Sequence, residues 1–190
     1  GRAGRPSGGK KNLSALIQDE IAQEIDRLIG RIVGREAAPR DLEATEMAIR
    51  SSMHEVGAIL LGQLLQADTG YRGARVPCGR GHHAGFSEYR TKTLQTILGS
   101  LTIRRAYYHC VSCRGGVIPR DAELDIVGTS FSPGVRRLMG RLGGKEPFEE
   151  ARGDLEALAG ITVQTKQVER VSEAIGEQIE AVSRKERKAA

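Results

Sequence analysis

The chain has 190 residues, of which 39 % are hydrophobic, 28 % are charged and 4 % are aromatic, with a formal net charge of +5. This length is enough for one or two small domains, and the scarcity of aromatic residues leaves aliphatic side chains to fill the core. No run of eighteen apolar residues occurs, and the first eleven residues lack the apolar stretch of a signal peptide. We therefore expect a cytoplasmic protein with no membrane partner. The missing initiator methionine indicates a fragment, or a product numbered from inside its reading frame.

Positive charge is unevenly distributed along the chain, and one central segment is strongly basic. Residues 1–11 carry four basic and no acidic side chains, and we expect them to form a disordered basic tail. Residues 70–120 carry nine basic side chains against one acidic side chain, Glu88, which gives this segment a net charge of +8. A local basic block is typical of proteins that bind the phosphate backbone of nucleic acids, although a solvated surface has the same composition. Charge alone leaves both interpretations open.

Residues 12–69 have the periodicity of an amphipathic helical hairpin. Asn12 is suited to cap a first helix, whose leucines and isoleucines recur at three- and four-residue spacing until a segment with Gly and Pro ends it. A second helix is predicted from about Asp41 to Ala67. Because two helices alone rarely bury both apolar faces, the hairpin favours self-association, and we expect a homo-oligomer.

Residues 70–120 contain the β-strand signals and all three cysteines. Lys92 to Ile97 is predicted to be a strand, Leu98-Gly99-Ser100 a turn, and Leu101 to His109 a second strand, rich in β-branched and aromatic residues. This hairpin would deliver its far end to Cys110. We interpret the segment as zinc-ribbon-like.

Residues 121–190 are predicted to form a helix-turn-helix-like domain. An acidic loop or linker, Asp121 to Asp125, precedes three helices at about 133–142, 147–159 and 164–186. Ser132 and Pro133 suit the start of the first of these helices, and Gly160 suits a left-handed cap at the end of the second. The fold class is therefore mainly α with a small β zinc-ribbon hairpin. It comprises an N-terminal helical hairpin, a central zinc ribbon and a C-terminal trihelical helix-turn-helix.

The cysteines and one histidine have the spacing of a zinc site. Cys110 and Cys113 form a C-x-x-C pair, and Cys78 and His82 form a second pair about thirty residues earlier. Four protein ligands leave no open position, so we predict one structural zinc ion rather than a catalytic one. His83 is a rival to His82 as ligand. A buried or redox-active thiol pair is the alternative interpretation of the two later cysteines.

Two sets of polar residues are candidates for contacts with DNA. Those that would bind phosphates lie on the β-hairpin and comprise Arg90, Lys92, Arg104 and Arg105. Because adjacent strand residues point to opposite faces, we expect at most one of the last two to face the backbone. Those that would read base edges lie at the start of the third C-terminal helix and comprise Gln164, Lys166, Gln167 and Arg170. A plain helical bundle with solvated polar faces is the alternative.

Three collinear segments carry a family resemblance. They are K-T-x-x-T-x-L-G-x-L at residues 92–101, R-R-A-Y-Y-H-C-x-x-C at residues 104–113 and P-x-D-x-x-L at residues 119–124. With the sequence around them, over roughly residues 40–185, they resemble the N-terminal half of bacterial insertion-sequence transposases of the Kra family. Many relatives have a second cysteine two residues after the first, where this chain has Arg80. That departure makes His82 the needed fourth ligand.

The resemblance implies the DNA-binding portion of a DDE-type transposase, which recognises the terminal repeats of the transposon in double-stranded DNA. An RNase H-like catalytic domain would follow the present C-terminus. We assign no catalytic residue here and do not expect this chain to cut DNA alone, because two-metal phosphoryl chemistry needs clustered carboxylates. The alternative is a standalone zinc-ribbon interaction or regulatory protein, derived from a domesticated or decayed transposase.

Overall fold

The computed structural model describes residues 15, 18–19, 21–27, 29–30 and 41–189. The chain divides into two compact units, residues 1–68 and 69–190. The predicted basic tail, residues 1–11, lies outside the described residues, as does the predicted end of the first helix, within residues 31–40. Among the helices that the structure describes, none combines the length and the apolar character needed to cross a bilayer.

The first unit contains a long helix, α1, which spans Leu42–Gln66. Its N-terminus is capped by Asp41, whose side chain accepts a hydrogen bond of 3.1 Å from the backbone N–H of Ala44. The predicted second helix is thus confirmed, and the described residues between positions 15 and 30 are helical as well. No residue of α1 is buried within the described part of the chain. Self-association through this unit stays a prediction.

The second unit is a mixture of strands and helices. A four-stranded antiparallel sheet has the order β1-β2-β3-β4, with β1 at Arg75–Pro77, β2 at His83–Thr96, β3 at Gly99–Cys110 and β4 at Gly115–Val117. Four helices follow: α2 at Pro119–Glu123, α3 at Pro133–Gly143, α4 at Phe148–Ala159 and α5 at Thr165–Ala189.

The central hairpin, β2 and β3, is longer than predicted and its turn lies elsewhere. β2 begins at His83 rather than Lys92, and the turn consists of Ile97 and Leu98, since Thr96 already pairs with Gly99. The Thr96 hydroxyl donates to the Gly99 carbonyl (2.8 Å) and accepts from the Leu98 N–H (3.2 Å). Gly99 has a φ of 129°, which only glycine adopts readily. The sequence predicts Gly99 in the middle of the turn, whereas it is the first residue after the turn.

The two halves of this hairpin bury opposite faces. Near the turn, the buried residues of β3 are Leu101, Ile103 and Arg105; near the cysteines they are Ala106, Tyr108 and Cys110. Successive strand residues point to opposite sides, so the buried face changes between residues 105 and 106. Each half of the hairpin therefore leaves the other face uncovered.

The first three residues of the segment predicted to be an acidic loop or linker, residues 121–123, belong instead to the short helix α2, so the prediction was wrong for them. Asp121 is buried and accepts two hydrogen bonds from the guanidinium of Arg105, at 2.7 and 2.6 Å. Lys92 reaches the same carboxylate at 3.3 Å and donates to the Ile126 carbonyl at 2.6 Å. Asp121, the first residue of this segment, serves as an internal anchor that fastens α2 to the hairpin.

Helices α3, α4 and α5 pack around one apolar core, and their predicted bounds are confirmed to within a few residues. The core contains the buried side chains of Val135, Met139, Ala151, Leu155, Ile161, Val163 and Val168. The Ser132 side chain accepts from the Val135 N–H (3.3 Å) at the start of α3, and Gly160 ends α4 with a left-handed φ of 65°. A Cβ at Gly140 would lie 2.6 Å from the side chain of Ile175, so glycine lets α3 and α5 approach closely.

Candidate metal centre and basic surface

Three cysteines and one histidine meet at the end of the sheet opposite the hairpin turn. Cys78 follows β1, His82 precedes β2, Cys110 ends β3, and Cys113 lies in the turn before β4. The four possible ligand atoms all lie within 4.8 Å of one another. The cluster that the sequence predicted is confirmed. His82 belongs to it, whereas His83 is the exposed first residue of β2 and pairs with Pro77.

Two short turns bring these side chains together. In the first turn, the Cys78 N–H donates to the His82 carbonyl at 3.0 Å, and Gly79 and Gly81 both have a positive φ, of 76° and 77°. Glycine adopts this backbone conformation at little cost, so the chain can turn within four residues. In the second turn Arg114 takes a positive φ of 53° directly after Cys113. The sheet holds the two turns side by side, because the pairing of β2 with β3 begins at Gly85 and His109, within a few residues of both turns.

The local electrostatics differ among the thiols. A backbone hydrogen bond from Arg80 lowers the pKa of the Cys78 thiol to about 6. A side-chain hydrogen bond with Cys110 raises the pKa of the Cys113 thiol above its usual value. The Cys78 thiol therefore ionises more readily than the Cys113 thiol, as expected where anions would be crowded into one small site. A bound cation would let all the thiols act as thiolates.

The donor set and its spacing fit a tetrahedral zinc ion. The Sγ atoms of Cys78 and Cys113 are 3.8 Å apart, which matches the edge of about 3.8 Å that two thiolates take when each lies about 2.3 Å from zinc. Cys110 is buried, and the apolar residues around the cluster include Val76, Ala84 and Ala106. With four protein ligands, such an ion would cross-link two turns and leave no position for a substrate.

The four hairpin residues predicted to bind phosphates fall into two groups. Lys92 and Arg105 are engaged with Asp121, and their side chains are only 14 % and 7 % exposed. These two cations are therefore unavailable to a phosphate. Their predicted role in phosphate binding is wrong, and they belong instead to an internal ion cluster with Asp121. Arg90 and Arg104 are exposed. The register places Arg90 on the face of Arg105, and Arg104 on the opposite face.

Both exposed arginines lie against tyrosine rings, in pairings that the sequence did not predict. The guanidinium carbon of Arg90 is 3.5 Å from the centre of the Tyr107 ring, and that of Arg104 is 4.0 Å from the Tyr89 ring. Arg90 also donates to Glu88 at 2.8 Å. Both arginine–tyrosine contacts are diagonal contacts across the strand pair. Tyr107 is the partner of Glu88, two residues before Arg90, and Tyr89 is the partner of Ala106, two residues after Arg104. The stacking holds these two exposed cations against the hairpin.

The predicted base-reading residues lie at the start of α5. The side chain of Gln167 accepts a hydrogen bond of 2.9 Å from the Gln164 N–H, so it caps its own helix. Lys166 is exposed and pairs with Glu169 at 2.9 Å, while Arg170 is exposed.

No family model matches this chain, and no curated protein matches it.

Proposed function

We propose that this protein is the DNA-binding portion of an insertion-sequence transposase, in which a zinc ribbon and a helix-turn-helix together recognise transposon ends. The observation that carries the proposal is the ligand cluster of Cys78, His82, Cys110 and Cys113, whose atoms lie within 4.8 Å at the end of a basic hairpin. Zinc would be structural there: it would fix the turns at the base of the hairpin and so hold the exposed arginines in register.

The hairpin supports a role in phosphate binding. Arginine suits phosphate because its planar guanidinium presents several donors at once. Stacking on Tyr107 and Tyr89 limits the motion of Arg90 and Arg104 before any ligand arrives, which reduces the entropy lost on binding. Because the two arginines lie on opposite faces, a single duplex would contact one of them directly.

The C-terminal helices support sequence reading. α4, a turn that begins at the left-handed Gly160, and α5 have the order of a helix-turn-helix. Ile161 and Val163 of this turn are buried, which fixes the angle at which α5 leaves it. Gln164, Lys166 and Arg170 are exposed at the start of α5, where a recognition helix meets base edges. Gln167 could contact a base only through its amide nitrogen, because its side-chain oxygen caps the helix.

Transposition itself rests on the sequence resemblance. The residues that carry the resemblance have defined tasks in this fold: Lys92, Arg105 and Asp121 form the internal ion cluster, and Cys110 is a ligand candidate. A shared pattern at such positions points to a shared fold. The proposed role at transposon ends rests on this resemblance and not on these contacts.

The decisive experiment compares binding of the full chain to duplexes that carry terminal repeats flanking its coding sequence and to scrambled duplexes of the same length. Tighter binding to the repeats, in a protein with one zinc per chain, is the expected result. An in-frame RNase H-like domain downstream would agree with it. Equal, salt-independent binding to both duplexes would overturn the proposal and favour an interaction or regulatory role for the zinc ribbon.

A further inference from the structure

Charge is segregated among the three packed helices. Residues 133–145, which cover α3 and the turn after it, contain four cations and no acidic residue: Arg136, Arg137, Arg141 and Lys145. Helix α4 has the opposite composition, with four acidic residues and the single cation Arg152. That cation is itself neutralised by Glu149 and Glu156, at 3.0 and 3.1 Å. One helix of the bundle is therefore basic and the next acidic.

The positive charge of α3 is mostly unneutralised. Arg136 pairs with Asp125 at 2.5 Å. Arg137, Arg141 and Lys145 are exposed, and the described part of the chain offers none of their side chains an ion-pair or hydrogen-bond partner. Arg137 and Arg141 are four residues apart, so they lie on one side of α3 with a separation of about 6 Å along its axis. Lys145 follows at the C-terminal end of the helix.

Helix α3 is held firmly where it lies. At its start, a Cβ at Gly134 would lie 3.3 Å from the side chain of Ile97, in the hairpin turn. Towards its end, Gly140 lies against Ile175 of α5, and Ser172 of α5 donates to the Met139 carbonyl at 3.0 Å. The exposed arginines are thus mounted on a helix that is anchored at both ends.

In helix-turn-helix proteins, the helix before the recognition helix crosses the DNA backbone. Here that helix is α4, and its carboxylates would be repelled by phosphates. We infer that α3 takes this part instead: Arg137 and Arg141, with Lys145, bind the phosphate backbone of duplex DNA. This inference rests on the proposed function, and it adds a surface that the sequence interpretation did not include. Repulsion between the carboxylates of α4 and the phosphates would disfavour an orientation of the protein in which α4 faces the DNA backbone.

The test is a salt titration of duplex binding with the full chain, on a mixed-sequence duplex. R137Q/R141Q should weaken binding at least about tenfold at low salt and reduce the slope of log affinity against log salt by about 1.8, because each phosphate contact contributes about 0.9. K185Q/R187Q is the matched control, since it removes the same charge from two exposed residues near the end of α5. It should leave both the affinity and the slope nearly unchanged.

Two further measurements keep the outcomes distinct. R137K/R141K retains the charge and should retain most of the affinity, while thermal unfolding should show that all three variants remain folded. A wild-type protein that binds the duplex and a R137Q/R141Q variant that binds equally well would overturn this inference alone. A wild-type protein that binds no duplex would overturn the proposed function, and the inference with it. Tighter binding of single-stranded RNA, lost in the same variant, would overturn the assignment of duplex DNA.

Discussion

The end of the sheet where Cys78, His82, Cys110 and Cys113 meet, here called the metal end because it could hold a metal ion, lies in one unit with the three-helix bundle. The two regions are stabilised by different means. The buried residues at the metal end are Val76, Ala84, Ala106, Tyr108 and Cys110, of which only the tyrosine is large. The bundle buries Met139, Leu155, Ile161 and three valines around a continuous core. Apolar burial contributes about 25 cal/mol per Å², so the sheet end gains less from it than the bundle does. A metal ion bound by four residues would supply folding free energy that the few apolar side chains there do not.

Removal of a thiolate should therefore produce the largest and the most local effect. Cys110→Ser should lose the metal and unfold residues 75–117, because Cys110 is both a ligand candidate and part of the small core there. The bundle contains none of the ligands and should stay folded. Hydrogen exchange read residue by residue, together with metal analysis by mass spectrometry, would show both results.

A second pair of variants tests the identity of the fourth ligand. His82→Ala should lower the metal affinity, whereas His83→Ala should leave it unchanged, since only His82 belongs to the cluster. Full zinc occupancy in a Cys110→Ser/Cys113→Ser double variant would contradict the site as a whole. Loss of zinc in His83→Ala alone would exchange the roles of the two histidines.

The second largest effect is expected where the hairpin meets the rest of the unit. Asp121→Asn removes the carboxylate that Arg105 and Lys92 share, which leaves two cations without their anion. Breaking a buried ion pair by removing one partner costs about 3–5 kcal/mol. We expect a loss of that order in the free energy of unfolding, measured by urea denaturation, with zinc still bound. The control is Glu88→Gln, which removes a carboxylate from the exposed pair with Arg90 and should have little effect.

These residues also show how far the sequence could predict the structure. The ligand set was predictable because its spacing follows from local chemistry, and the helices of the bundle because their caps, Ser132 and Gly160, are local signals. The role of Asp121 was not, since a carboxylate in an acidic stretch looks solvated until a partner sixteen residues earlier, Arg105, folds against it. Which of Arg104 and Arg105 faces inward depended on where the buried face of β3 changes, and that is set by packing and not by strand alternation.

A variant in the bundle should have the opposite pattern of effects to Cys110→Ser. Leu155→Ala removes a fully buried side chain from the core of α3, α4 and α5 and should cost about 3 kcal/mol in the free energy of unfolding. The metal content should not change, because no ligand belongs to this core. Thermal unfolding followed with and without a chelator would separate the two parts: the variant should lower the transition of the bundle, and the chelator that of the sheet. A single transition shifted equally by both would show that the two parts unfold together.

The smallest effect concerns an ion pair that ties α2 to the segment before β1. Arg72 donates to both carboxylate oxygens of Glu123, at 2.7 and 2.8 Å, and its backbone N–H donates to the Tyr108 hydroxyl at 2.7 Å. Burial opposes ionisation of Glu123, but hydrogen bonds from Arg120 and Arg72 outweigh it and lower the pKa of this carboxyl from its usual 4.5.

A carboxyl whose pKa is lowered on folding adds stability that is present above its unfolded pKa and lost as the pH falls through its folded pKa. Glu123→Gln should therefore destabilise the wild-type protein at pH 7 but not at a pH well below 4.5. Both partners are more than a third exposed, so screening by water limits the difference to less than about 1 kcal/mol. Urea denaturation of both proteins across this pH range measures it. An equal difference at every pH would assign the effect to lost packing of the side chain rather than to its charge.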